Sequence, residues 1–163
     1  YKKLKKGGII RLTCPDIDIF IDAYKRKDEQ VFKLNNNQGL NMPLNYSLSQ
    51  SFLRVFARRC CEISNSNKST SDNSIEKDFA SLTNRDFLNK YSNMISTDEV
   101  RKFPREHKTW FNSKKVIEML KLSGFEKVYK SAYCQSKSPL LRDPNFFDNT
   151  QPELSLYVEA IKV

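Results

Sequence analysis

The chain holds few residues of the kinds that carry chemistry, and they lie far apart along it. Asp16 directly follows the apolar, β-branched run Ile9-Ile10-Arg11-Leu12-Thr13-Cys14-Pro15, which places it at the carboxyl end of a strand. Open α/β sheets bind ligands outside those ends. A carboxylate there can hold or deprotonate a bound hydroxyl; equally, Asp16 is a good N-cap for a following helix. His107, the one histidine, sits between Arg105 and Lys108. Its ordinary pKa suits a general base, and an exposed loop histidine is the plainer alternative. Trp110 and Phe111 either wall a pocket or staple the chain onto the next helix. Tyr133 at the end of a later strand and Arg142 in the loop after it complete the residues placed to reach a substrate.

The cysteines at positions 14, 60, 61 and 134 make no C-x-x-C pair, and His107 has no cysteine near it in sequence. Neither a zinc site nor a disulfide framework is expected; the pattern reads as reduced thiols in a cytoplasmic protein. A formal charge of +9 raises the question of nucleic acid. The lysines and arginines are spread over the whole length, without interleaved glycine or aromatic residues, so they read as a solvated surface rather than a nucleic-acid site. No apolar stretch approaches the roughly 20 residues that span a bilayer, and the opening lysines lead into a glycine turn rather than a signal peptide.

The elements that must position these groups follow from spacing. Tyr1 to Lys6 reads as the tail of a helix stopped by Gly7-Gly8. The near-continuous apolar run at Ile9–Cys14 reads as a parallel-type strand covered on both faces. Ile17, Phe20, Ile21 and Tyr24 give an amphipathic helix over 17–27. Residues 30–105 read as a helical insertion with the character of a lid. Its parts are a loop over 35–43, a helix carrying Leu48, Phe52, Val55 and Phe56, an exposed mobile loop at 64–74, and a helical stretch over 75–95 with a break near 81–84. Asn112 caps a helix with the stripe Val116, Ile117 and Leu120, which Ser123-Gly124 stops. Strands over 125–133 and 154–163 follow, separated by a proline-containing loop. The whole reads as one α/β domain.

Three segments together resemble the C-terminal half of class I S-adenosylmethionine-dependent methyltransferases. Leu4-Lys5-Lys6-Gly7-Gly8-Ile9-Ile10-Arg11-Leu12 is similar to the turn and strand after that family's post-cofactor helix. Ser123-Gly124-Phe125-Glu126-Lys127-Val128 resembles the junction ahead of its antiparallel pair, and Ser155-Leu156-Tyr157-Val158-Glu159-Ala160-Ile161-Lys162 resembles its closing strand. His107-Lys108 ahead of Trp110 is also familiar from a subgroup. The resemblance implies a partial Rossmann-like sheet, one parallel-type strand plus a C-terminal antiparallel pair, with a helical insertion. It implies methyl transfer from S-adenosylmethionine to a small-molecule or saccharide acceptor, with Asp16 and His107 as candidate catalytic groups and Trp110, Tyr133 and Arg142 as candidate acceptor contacts.

The four glycines, at 7, 8, 39 and 124, form no G-x-G loop after a strand, so the family's main cofactor cradle is expected to lie outside these residues. The chain then reads as a substrate-side half from a truncated reading frame, inactive alone, with an exposed sheet edge that drives homo-oligomer formation. The insertion's Arg58 and Arg59 would suit an anionic acceptor. The alternative is a non-catalytic basic α/β module that binds nucleic acid or a protein partner.

Overall fold

A computed structural model of the chain describes residues 1–36, 46–62, 67–148 and 151–163. The loop expected over 35–43, part of that at 64–74, and Asn149 therefore fall wholly or partly outside the described residues. The fold is α/β. It comprises β1 (Ile9–Pro15), α1 (Ile17–Lys25), α2 (Glu29–Asn36), α3 (Leu48–Phe56), α4 (Asp72–Ser81), α5 (Asn84–Asn93), α6 (Thr97–Lys102), α7 (Ser113–Leu122), β2 (Lys127–Lys130) and β3 (Ser155–Ile161). These divide into two compact units, Tyr1–Asp16 with Phe111–Val163, and Ile17–Trp110. No helix among the described residues is long and apolar enough to cross a membrane.

The first unit is a three-stranded sheet in the order β1-β3-β2, with β3 antiparallel to both neighbours. β1 and β2 consequently run in the same direction on either side of β3. One face is apolar. Leu156, Val158 and Ala160 of β3 pack there with Val116 and Leu120 of α7 and with Phe125, and Ile10, Cys14 and Val128 close the cluster. α7 is held at both ends by local bonds. The Asn112 side chain accepts from the Lys115 amide at 2.9 Å. At the other end Gly124 takes φ 97°, its N–H donates to Lys121 O, and that of Phe125 donates to Leu120 O. Those two bonds form a Schellman motif, and the buried contact of Phe125 with Leu120 completes it.

Several expectations are corrected here. Residues 1–6 are turns rather than a helix tail: Leu4 N–H bonds Tyr1 O and Gly8 N–H bonds Lys5 O, each three residues back. Gly7 takes φ 78°, and a Cβ on Gly8 would meet Lys5 O at 2.8 Å, so the turn requires both glycines for separate reasons. β1 is not covered on both faces. It is an edge strand whose one partner among the described strands is antiparallel, and Leu12 and Thr13 are exposed. The strand buried on both faces is β3, because it is central. β2 is shorter than 125–133, because Phe125 is committed to the end of α7 and Cys134, at φ 54°, helps turn the chain back at the Ala132–Gln135 bridge.

The second unit packs helices around α3, which is buried nearly all round. Phe52 lies 4.7 Å from the Tyr24 ring and 5.7 Å from that of Phe87, both stacked, with Phe56 and Phe79 against it. The stretch over 75–95 does divide, where Thr83 caps α5 by accepting from the Asp86 amide. The described part of the 64–74 loop is tied down rather than loose: Thr70 N–H donates to Cys60 O, and Gln50 Nε2 donates to Thr70 O at 2.7 Å.

Candidate functional site

The alternation that buries Leu156, Val158 and Ala160 on the α7 face turns Tyr157 and Glu159 to the other. Register then sets Arg11 of β1 and Tyr129 of β2 directly beside Glu159, one residue from each strand in a single row. Arg11 Nη1 donates to Glu159 Oε1 at 2.9 Å, and Tyr129 Oη donates to Glu159 Oε2 at 2.5 Å. The Lys137 amide also donates to Oε2, at 3.2 Å. Arg11 Nε and Nη2 both lie 2.6 Å from Asp148 Oδ2, while Thr13 Oγ1 donates to Asp148 Oδ1 at 2.7 Å. Nη1 and Nη2 reach further to Ser131 Oγ and to the carbonyls of Gln135 and Ala132. Every nitrogen of the guanidinium is engaged, and its central carbon lies 5.0 Å from the Tyr157 ring centre.

This network explains the loop 131–148 as well as the sheet. Its carbonyls and Asp148 are gathered onto one buried arginine, and Asp148 holds φ 59°, a left-handed conformation that aspartate tolerates. Glu159 is completely buried. Burial works to raise its pKa, but hydrogen bonds from Ser136, Tyr129, the Lys137 amide and Arg11 outweigh it and hold the carboxyl below its usual value. The Tyr129 phenol is pushed up to about 12 by burial and by its bond to that carboxylate. Arg11 and Glu159 thus form a paired, structural charge cluster, not a reactive one.

Beside the row, a cleft of about 460 Å³ opens on β2, lined by Tyr129, the segments 130–131 and 134–137, and Arg142. Arg142 Nε donates to Ser136 O at 2.6 Å. Tyr133 lies close by, half-exposed, its ring 6.3 Å from that of Tyr157. Because β1 and β2 run the same way, their carboxyl ends share one end of the sheet. Asp16 stands at that end too, nearly buried, its amide bonded to Leu154 O at 2.9 Å. Its charge is felt at Cys14, whose thiol is raised to about 11 by burial first and by Asp16 second.

His107 and Trp110 belong to the other unit. His107 Nδ1 is 2.7 Å from Val55 O, which can only accept, so Nδ1 donates that bond. The Trp110 indole is buried and donates to Asn89 Oδ1 at 3.1 Å. Phe111 meets the expectation of a staple: it precedes the Asn112 cap and packs in the same cluster as Val116, four positions into α7. Arg58 and Arg59 both face Glu106, at 3.5 and 3.8 Å, and Arg59 also lies 3.9 Å over the Phe103 ring. Their charge is thus partly met within the unit. Burial, the largest cause for both, pushes the Cys60 and Cys61 thiols up to about 11 and 12, so neither is a thiolate nucleophile at neutral pH.

The residues that sequence reasoning passed over are Arg11, Tyr129, Asp148 and Glu159. A signal existed for two of them: Arg11 and Glu159 are opposite charges set inside the apolar runs of two strands. Comparison with protein-family models, with curated proteins and with solved structures returned no match.

Proposed function

We propose that these residues form the acceptor side of a class I S-adenosylmethionine-dependent methyltransferase that acts on a small molecule or saccharide. The observation that carries the reading is the strand arrangement. β1 and β2 are parallel to each other on either side of the reversed β3, so their carboxyl ends share one end of the sheet, where Asp16 follows β1, while Tyr133 and Arg142 belong to the chain that follows β2. Ligands of open α/β sheets bind outside such ends. The antiparallel β2–β3 pair agrees with the resemblance in its C-terminal part.

The described residues do not supply the cofactor's cradle. β1 passes into α1 through Pro15-Asp16, without the glycine turn that lets backbone approach a ligand at a helix start, and Gly7-Gly8 precede the strand instead. No step through the cofactor is therefore assigned to them. Their share is to position an acceptor and to take its proton: the Asp16 carboxylate is the group of the sheet unit able to do so, and His107, in the helical unit, is tested independently.

The test uses the product of the whole reading frame that encodes these residues. Calorimetry is expected to detect S-adenosylmethionine binding. Asp16→Ala is expected to lower turnover about 100-fold or more, the range of a general base, while cofactor binding stays intact. A product that binds no S-adenosylmethionine overturns the reading, and wild-type turnover in both Asp16→Ala and His107→Ala removes these residues from it.

A further inference from the structure

We infer that the cleft on β2 is a phosphate-binding site for a phosphomonoester, such as a sugar phosphate. That the molecule bound there is the methyl acceptor rests on the reading above; that the cleft takes a phosphate rests on the cleft alone. Its floor is chemically closed. The Tyr129 hydroxyl is given to Glu159, and Ser131 Oγ is held between Arg11 and Gln135 O. Ser136 Oγ accepts from the Ser138 amide at 3.0 Å and also serves Glu159. These groups offer a ligand the face of the Tyr129 ring rather than free donors.

The walls are different. Lys137 is exposed, with its ammonium 5.5 Å from the Tyr129 ring centre and no carboxylate bonded to it among the described residues. Arg142 is exposed and commits only Nε, to Ser136 O, which fixes the guanidinium while both Nη groups have no partner among the described residues. Strand alternation turns the Lys130 side chain to the α7 face, so the cations counted are Lys137 and Arg142. No acidic residue lines the cleft. The buried Glu159 behind it is matched by Arg11, and Asp143 turns its carboxylate onto the Asn145 amide.

Two cations with no carboxylate partner among the described residues, one of them a guanidinium held by its own Nε, suit a phosphate dianion, which takes paired charge-assisted bonds. The aromatic ring beside them suits the body of a sugar. A volume of about 460 Å³ matches a small phosphorylated molecule rather than a polymer.

The experiment is calorimetric titration of the 163-residue chain at low salt with ribose 5-phosphate, ribose and a ten-residue oligothymidylate. Ribose 5-phosphate is expected to bind and ribose not to bind, and Lys137→Ala and Arg142→Ala are each expected to weaken binding about tenfold. The Lys137 side chain makes no hydrogen bond among the described residues, so Lys137→Ala tests the site even if Arg142→Ala loosens the loop. Three results overturn the inference: no binding of ribose 5-phosphate at 10 mM (about 100-fold weaker than 0.1 mM), equal affinity in wild type and Lys137→Ala, or tighter, steeply salt-dependent binding of oligothymidylate that the same variants weaken. Ribose 5-phosphate binding together with a whole-frame product that ignores S-adenosylmethionine sinks the methyl-acceptor role and leaves the phosphate site standing.

Discussion

Glu159 is an unusual residue to find at the centre of a sheet, and its neighbours account for it. A lone buried carboxylate is costly, and here one arginine, one phenol, a serine and an amide meet it. Removing one partner leaves the other charge buried. Glu159→Gln or Arg11→Met is therefore expected to cost about 3–5 kcal/mol in denaturant unfolding, the range for a broken buried pair. The double variant Arg11→Met/Glu159→Leu is expected to cost less than the sum of its singles; strict additivity would show that the two charges do not depend on each other. The same residues limit what the face can do chemically, since a saturated Arg11 is not available to a ligand. Among the described residues of this face, Lys137 and Arg142, at the cleft wall, keep donors to offer.

Among the elements, α6 shows how a short helix is held by its first turn. Ser96 and Glu99 form a reciprocal capping box, and Lys68 Nζ reaches Glu99 Oε2 at 2.9 Å. The bond from the Ser96 amide, then that from Lys68, lowers the Glu99 carboxyl to about 2, below its unfolded value of about 4.3. A depressed carboxylate stabilises the fold fully above the unfolded pKa, and that contribution is lost as pH falls through the folded one. Unfolding free energy is thus expected to drop between about pH 4.3 and pH 2, and Glu99→Gln is expected to flatten part of that slope. An unchanged slope in Glu99→Gln would assign the acid sensitivity to other carboxylates, of which Glu159 and Asp78, lowered chiefly by Lys90, are the nearest in kind.

At the scale of the molecule, the sheet has two edges of unequal character. β2 is four residues long and carries lysine at both ends, which discourages strand addition. β1 is seven residues long, with Leu12 exposed, and pairs with no second strand among the described residues. Self-association through β1 is the expected outcome: sedimentation should find species heavier than the 19.1 kDa chain, and Leu12→Lys should shift them towards monomer. A monomer that persists at about 100 μM, well above the micromolar affinities common for specific association, would count against it.

Local order was legible in the residues themselves. Asn112 and Gly124 announce both ends of α7, the Ile17–Tyr24 spacing announces α1, and the apolar alternation announces β3, because caps and periodicities act over a few neighbouring positions. The polar face was not legible. Arg11, Tyr129 and Glu159 are joined only by strand register, and Asp148 reaches Arg11 across 137 positions of chain. β1 illustrates the same division: its sequence states that it is a strand, but whether it is an edge or a centre depends on which strand lies beside it. The residues alone determined the caps and periodicities of α1, α7 and β3; only the tertiary structure decided which charges are matched in the interior and which face a cleft, because pairing across strands follows from register rather than from proximity in sequence.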